Sequence, residues 1–260
     1  MAKNMQKKYQ KTTLGEFEYA FRPGNPLIVF LNCFGDFDTE QNFSKVIKKL
    51  PTNYGVFAPD YLNSGLSGKS LKSYTIHDEA IKLVKIINDL NAKDVIVVAH
   101  SIGGVYAIHM LDKIKNLRAF VAIEPTTREI ILNPPKEQVY LAHKHDNPEQ
   151  FIHDKIDELF TKSEAEDFWN TTIKNGERFD DEAAQNLTKA MEKDDFGHSE
   201  QRVSNEFPVI IITEAYRQKE YQRSEYFNQN AETKIVPMGS FHYIQWEFPT
   251  EIANITRGAS

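Results

Sequence analysis

The stretch Val95-Ile-Val-Val-Ala-His-Ser-Ile-Gly-Gly104 joins a continuous apolar run to a helical pattern through a very short turn. Such an apolar run predicts a strand that is buried on both faces of a parallel sheet. Val105, Ile108 and Leu111 follow at helical spacing. Ser101 is therefore expected at the start of a helix, where free backbone N–H groups and the helix dipole favour negative charge.

The residues around Ser101 are those that a sharp strand-to-helix turn requires. The positions two before and two after the serine must be small, and they hold Ala99 and Gly103. A turn of this kind lifts a serine hydroxyl out of the sheet, which is the arrangement of a serine nucleophile. We interpret Ser101 as a nucleophile rather than as an ordinary helix cap because strand, turn and helix follow in the required order.

Apolar runs and helical patterns alternate along much of the chain. Gly15–Phe21 alternates in polarity and predicts an antiparallel edge strand. Strands separated by amphipathic helices imply crossover connections, so the sequence predicts an α/β fold with a mostly parallel central sheet flanked by helices. The other predicted strands, besides Val95–Ala99, are Leu27–Leu31, Tyr54–Ala58, Ala119–Ile123, Val209–Ile212 and Lys234–Pro237.

This alternation is interrupted over residues 126–207, an interval of 82 residues that is far longer than a crossover needs. The interval has amphipathic stripes of its own, for example at Ala183, Leu187, Ala190 and Met191. We therefore predict a core formed by residues 1–125 and 208–260 and an inserted helical cap, or lid, at 126–207. Residues 136–206 carry 18 acidic and 9 basic residues, which predicts that the cap disfavours strongly anionic substrates.

Composition excludes several classes of protein. The 260 residues are 40% hydrophobic and carry a net charge of −6 without a broad basic face, which argues against a nucleic-acid partner. No apolar stretch approaches the ~18 residues of a membrane span. Residues 1–11 carry four lysines and no acid, and we expect a solvated tail there. A single cysteine, Cys33, and a polar start predict a cytoplasmic protein. The sequence gives no indication of oligomeric state.

Four motifs together resemble the α/β-hydrolase superfamily. They are the loop Leu31–Gly35, the loop Ala58–Ser67, the turn at Ser101 and the C-terminal loop Gly239–Pro249. The resemblance covers roughly 14–134 and 207–257, and its details are similar to poorly characterised hydrolase-like proteins of Gram-positive bacteria. It implies an α/β-hydrolase fold and a Ser-His-acid catalytic triad that needs no cofactor and no metal.

His242 is the candidate general base. A serine hydroxyl needs a nearby imidazole to take its proton, and His242 follows the last predicted strand in a loop that the resemblance brings to the Ser101 turn. His77 and His109 fall on predicted helices. His100 is expected to point away from the nucleophile.

The acid of the triad has three candidates. The family position after the strand Val209–Ile212 lacks the usual Gly-x-x-Asp, and the sequence there contains Glu214 and Glu220. Glu124 instead ends the strand that follows the Ser101 helix, at the strand edge where α/β sites lie. A charge at the end of a buried strand needs a partner, and His242 would supply one. We rank Glu124 first, Glu220 second and Glu214 third.

The remaining candidate residues would bind the substrate. The backbone N–H groups of Ile102 and, by resemblance, Phe34 are expected to form the oxyanion hole. Cys33 stands where the family commonly has glycine, and we interpret it as a small buried residue. An aromatic acyl pocket near the predicted mouth would use Phe37, Tyr61, Phe241 and Trp246.

The sequence therefore predicts a serine hydrolase that cleaves a carboxylic ester or a related small acyl compound through an acyl-enzyme. Other reactions of the same triad remain open: C–C bond hydrolysis, peptide hydrolysis and acyl transfer. A non-catalytic binding protein that retains the fold is a further alternative, because the acid region is atypical. Aspartate-nucleophile reactions of this fold, dehalogenation and epoxide hydrolysis, are disfavoured because position 101 is serine.

Overall fold

The computed structural model describes residues 5–35, 37–126, 148–179, 182, 185–186, 189, 203, 206–225 and 232–259. Within these residues the strands form one mostly parallel sheet. The strands are β1 (Gln6–Lys11), β2 (Glu16–Arg22), β3 (Leu27–Leu31), β4 (Gly55–Pro59), β5 (Val95–His100), β6 (Leu117–Ile123), β7 (Val209–Thr213) and β8 (Lys234–Pro237). Their order is β1-β2-β4-β3-β5-β6-β7-β8, with β2 antiparallel to both of its neighbours and every other pair parallel.

Helices cover both faces of the sheet. Within the described parts of the chain they are α1 (Thr39–Lys49), α2 (Ile76–Asp89), α3 (Gly103–Met110), α4 (Pro148–Leu159), α5 (Lys162–Gly176), α6 (Gln218–Arg223), α7 (Ile244–Glu247) and α8 (Pro249–Gly258). Side chains of α2 and α3 pack on one face of the sheet, and side chains of α1 and α8 pack on the other. None of these helices is both long enough and apolar enough to cross a membrane.

The sheet is double-sided because its central strands are apolar at every position. Along β3, Val29 and Leu31 belong to the core on the α2 side, while Ile28 and Phe30 belong to the core on the α1 side. All five residues of β3 and all five of β4 are buried. The continuous apolar runs therefore predicted the strands correctly, and the α/β class and the mostly parallel sheet are confirmed.

The N-terminal segment differs from its prediction. The lysine-rich stretch forms β1 rather than a solvated tail, and it pairs with β2 along six residues. As a result β2 is an interior strand rather than the predicted edge. Lys7 Nζ lies 3.0 Å from Glu40 Oε2, 3.4 Å from Glu18 Oε1 and 3.7 Å from Asp38 Oδ2. Backbone pairing with β2 and the acidic groups around Lys7 thus order a segment whose lysine-rich composition alone predicts a solvated tail.

Two helices of the predicted insertion, α4 and α5, are described. Their apolar side chains Ile156, Phe160 and Phe168 pack against an aromatic cluster that includes Phe241 and Trp246. Residues 127–147 and most of 180–205 lie outside the described residues, together with the predicted stripe from 183 to 191. The boundaries of the cap and its role as a lid stay predictions.

Candidate active site

The turn after β5 holds Ser101 in a left-handed backbone conformation, with φ of +54°. Its N–H donates to the carbonyl of Ile123 at 3.0 Å, and its own carbonyl accepts from Thr126 N at 2.8 Å and from Gly104 N at 2.9 Å. A non-glycine residue with positive φ is uncommon, and such strain concentrates at functional sites. The local geometry is that of a nucleophile turn between a strand and a helix.

Gly103 explains why the chain can turn so sharply. A Cβ atom at this position would lie 2.5 Å from the carbonyl oxygen of Leu31 and 2.9 Å from that of Asn32. The start of α3 therefore contacts the end of β3, which brings the loop that carries Phe34 close to the turn. Ile102 is buried directly after the serine, and Phe34 is half-buried. Their role as oxyanion-hole donors stays a prediction.

Glu124 ends β6 and is buried. Like Ser101 it has a left-handed backbone, with φ of +45°. Its Oε1 atom accepts hydrogen bonds from Thr213 Oγ1 at 2.6 Å and from the N–H of Glu214 at 2.6 Å. The end of β7 therefore fixes the carboxylate on the neighbouring strand, as expected for a buried charge that must be satisfied.

The second oxygen of Glu124 faces two cationic or potentially cationic groups. Oε2 lies 3.8 Å from Nδ1 of His242 and accepts a short hydrogen bond from the Arg217 guanidinium. Burial by itself would raise the pKa of Glu124, but His242, Arg217 and Thr213 outweigh it and hold the pKa below its usual value. Glu124 is thus an ionised carboxylate beside the imidazole of His242.

The two other candidate acids occupy different positions. Glu220 accepts a hydrogen bond from Nε of Arg217 at 3.1 Å and has no ion pair with His242. Glu214 lies close to Glu124 and His242, but burial and the charge of Glu124 raise its pKa to about 7. Glu124 therefore combines an ion-pair distance to His242 with a lowered pKa, and its role as the triad acid stays a prediction.

Glu124, Glu214 and His242 are also the group of described residues whose side-chain atoms lie near enough together, within 4.8 Å, to bind a metal ion. The Arg217 guanidinium already binds Glu124. A cation would therefore have to displace or tolerate a buried positive charge. The residues present do not fit a metal site well.

The loop that carries His242 lies over the end of β5. The His100 and His242 rings are 4.8 Å apart, and Nε2 of His100 is 3.0 Å from the backbone carbonyl of His242. His100 is buried beneath this loop. The candidate base and the candidate nucleophile are therefore on adjoining backbone segments.

Arg217 is the site residue that sequence reasoning missed. It lies in a short 3-10 helix, Ala215–Arg217, directly after β7, and binds both Glu124 and Glu220. Its spacing of three residues before Glu220 is a signal for the second pair. Its contact with Glu124 joins residues 93 positions apart and leaves no local trace in the sequence.

The four aromatic side chains assigned to substrate binding are all buried. Tyr61, 2% exposed, stacks on Tyr106 at 3.9 Å and donates to the carbonyl of Asn32 at 3.0 Å. Trp246, 0% exposed, donates from Nε1 to the carbonyl of Asn42 at 3.0 Å. Both side chains donate to backbone carbonyls inside the protein, and their contact with substrate stays a prediction. Phe37 and Phe241 belong to the aromatic cluster beneath α4 and α5, and their contact with substrate stays a prediction.

Comparison with solved structures agrees with this fold. A solved protein from Streptococcus mutans, Smu.1393c, is 25% identical, with a TM-score of 0.80 over 98% of this chain and 97% of that one. An epoxide hydrolase from Vigna radiata is 15% identical, with a TM-score of 0.71 over 98% of this chain and 97% of that one. An N-acyl homoserine lactonase is 16% identical, with a TM-score of 0.62 over 99% and 98%. The sequence search found no significant match among curated proteins.

The sequence profile of the Alpha/beta hydrolase family matches residues 28–255. That match includes all of β3 but its first residue, every strand from β4 to β8 and each of the three segments that hold Ser101, Glu124 and His242. A turn with a left-handed serine, a sheet with these strand directions and a match of this length lead to one conclusion: the chain belongs to the alpha/beta hydrolase family.

Proposed function

We propose that the protein is a serine hydrolase that cleaves a carboxylic ester or a related small acyl compound. The observation that carries the proposal is the pairing of His242 with the buried, ionised Glu124 beside the left-handed turn of Ser101. Three side chains, following β5, β6 and β8, would then supply a nucleophile, an orienting acid and a base in the order Ser–acid–His.

The proposed reaction proceeds in two steps. Ser101 Oγ attacks the acyl carbon while His242 takes its proton, and the same proton then passes to the leaving group as the acyl-enzyme forms. Water then attacks the acyl carbon while His242 takes its proton, and that proton passes to Ser101 Oγ as the acyl–Oγ bond breaks and the carboxylic acid leaves. Glu124 holds the imidazole in the tautomer that accepts a proton at Nε2 and stabilises the imidazolium. The proposal requires no cofactor.

The serine at position 101 favours acyl chemistry over epoxide hydrolysis. Several fold neighbours are epoxide hydrolases, but they are less than 25% identical to this chain and support the fold alone.

We further propose that residues 126–207 form a lid that selects substrates. The packing of α4 and α5 on the aromatic cluster supports a cap at this position, and its acidic composition favours neutral or cationic substrates. We expect the protein to act in the cytoplasm.

A serine-directed probe tests the proposal. A fluorophosphonate should add one adduct to the intact protein, peptide mapping should place it on Ser101, and Ser101→Ala should abolish it. Ser44→Ala, a half-buried helix serine, is the matched control and should label like wild type. An adduct on another residue would overturn the proposal that Ser101 is the nucleophile. The absence of any adduct on a folded preparation would overturn the proposed activity and favour a binding protein. A panel of esters, lactones, peptides and acyl acceptors then separates the acyl reactions.

A further inference from the structure

A buried hydrogen-bond network lies behind the candidate site. We define it as the amide network, formed by Asn32, Asn42, His100 and Gln245. Each of these residues is almost fully buried, and they come from β3's loop, α1, β5 and α7. Buried polar groups are costly unless satisfied, so their convergence at this point requires an explanation.

Asn42 is the centre of the network because both ends of its side chain are used. Its Nδ2 donates to Asn32 Oδ1 at 2.7 Å and lies 3.3 Å from His100 Nδ1. Its Oδ1 accepts from Gln245 Nε2 at 2.8 Å and from Trp246 Nε1 at 3.1 Å. One residue of α1 therefore joins the predicted oxyanion loop, the end of the nucleophile strand and the helix that follows His242.

The partners of His100 determine its tautomer. A backbone carbonyl only accepts, so Nε2 of His100 must carry the hydrogen that it donates to the carbonyl of His242 at 3.0 Å. Burial, and then the neighbouring His242, hold the pKa of His100 well below its usual value. The ring is therefore neutral, and Nδ1 accepts from the amides of Asn42 and Gln245 at 3.3 and 3.1 Å.

We propose that Asn42 is a positioning residue for the general base. Acting through His100, it aligns the backbone of His242, and through Asn32 it ties that alignment to the loop after β3. This inference rests on the proposed function, because the aligned imidazole matters only if His242 takes a proton from Ser101. Asn42 itself contacts neither substrate nor the reacting atoms.

The first test compares Asn42→Ala with Thr256→Val. Thr256 is a fully buried residue of α8 whose Oγ1 bonds to Ile252 O at 2.8 Å, so its variant also loses a buried hydrogen bond. Displacing a catalytic group by about 1 Å costs up to about 100-fold. We expect Asn42→Ala to lower the rate of fluorophosphonate labelling by about 10- to 100-fold and to alter its pH profile, while Thr256→Val labels like wild type. A wild-type rate and profile for Asn42→Ala would overturn the inference.

Two further measurements keep the test decisive. If Asn42→Ala does not fold, Gln245→Met removes the donor to His100 at nearly constant volume and should also slow labelling. Nitrogen NMR of the protein with labelled histidines is a measurement that needs no enzyme activity. In wild type it should show His100 as the Nε2–H tautomer with a slowly exchanging ring proton. In Asn42→Ala this ring proton should exchange faster. An Nδ1–H tautomer would overturn the inference even if labelling succeeds. Absence of labelling in wild type with the expected tautomer would overturn the proposed function and leave the amide network as a structural element only.

Discussion

Arg217 donates a hydrogen bond to the same oxygen of Glu124 that lies 3.8 Å from Nδ1 of His242. The guanidinium and the imidazole therefore share one carboxylate oxygen in a buried site. Burial raises the pKa of Glu124, but His242 and then Arg217 oppose it, and together with Thr213 they hold the pKa below its usual value. Arg217 is thus one of the groups on which the charge state of Glu124 depends.

Replacing Arg217 by glutamine should shift the acid side of the activity profile. Without the guanidinium, one of the groups that oppose burial is lost and the pKa of Glu124 rises, so less of the ionised form is present at low pH. We expect the fluorophosphonate labelling rate of Arg217→Gln, relative to wild type, to be lower at pH 6 than at pH 8. Arg223→Gln, on the exposed side of α6, is the control. Identical profiles for Arg217→Gln and wild type would contradict this expectation.

Glu124→Gln should lower the labelling rate far more than Glu220→Gln. Loss of the triad acid costs up to about 10⁴-fold in the reference serine protease, because the imidazole loses its orientation and its counter-charge. Glu220 bonds to Arg217 rather than to His242, and its variant should stay near wild type. Each substitution replaces a carboxylate by a neutral amide of similar size, so each variant is a control for the other. The reverse order would move the acid to the later loop.

Gly103→Ala should damage both stability and activity. The added methyl would lie 2.5 Å from the Leu31 carbonyl, so the turn or the end of β3 must move. We expect a loss of about 1–3 kcal/mol in the free energy of unfolding, as for other overpacked sites, together with slower labelling. Gly258→Ala is the matched control, since no atom lies within 4 Å of its added Cβ. Thermal melts that show both variants equally stable would refute the steric argument.

The protein should become less stable as the pH rises from about 5 to 8. Burial raises the pKa of Glu18 to about 8, and it raises that of Glu79 to about 7. Unfolded glutamate titrates near ~4.3, so between these values the folded state holds protons that the unfolded state has released. This contribution to stability is fully present below the glutamate pKa of the unfolded state, and it is lost as the pH rises through the glutamate pKa of the folded state.

Melting temperatures measured across this range test that expectation. Glu18→Gln should flatten the decline, because the amide cannot ionise in its buried position. Glu16→Gln, a half-buried position on the same strand, should leave the slope as in wild type. A melting temperature that is constant or increases up to pH 8 would count against the raised pKa values as the cause.

Much of the fold could be predicted because its signals are local. The continuous apolar run at Leu27–Leu31 and the small residues around Ser101 report directly on burial and on turn geometry. The first strand could not be predicted in this way. Lysine-rich composition indicates solvation, whereas the ordering of Lys7 depends on acids that are distant in sequence.

The site was predictable to a similar extent. Glu124 stands out because a charged residue ends a buried strand, which is costly without a partner. Arg217 and Asn42 do not stand out, because their partners lie in other segments and only tertiary packing brings them together. The same holds for Tyr61 and Trp246: motif position predicts a role at the mouth, while their hydrogen bonds to the Asn32 and Asn42 carbonyls arise only from tertiary packing.

The ion pairs of Lys7 have a consequence for chemical work on this chain. Its ammonium group lies among the carboxyl groups of Glu18, Asp38 and Glu40, and these three acids hold its pKa above the usual value although burial opposes them. Acetylating or cross-linking that amine, or trimming the chain back to residue 12, would leave these acidic groups facing one another at the sheet margin without a cation. Because its raised pKa and partial burial keep this amine protonated and covered, amine-directed reagents should reach it after the exposed lysines, so light labelling would spare this margin and exhaustive labelling would loosen it.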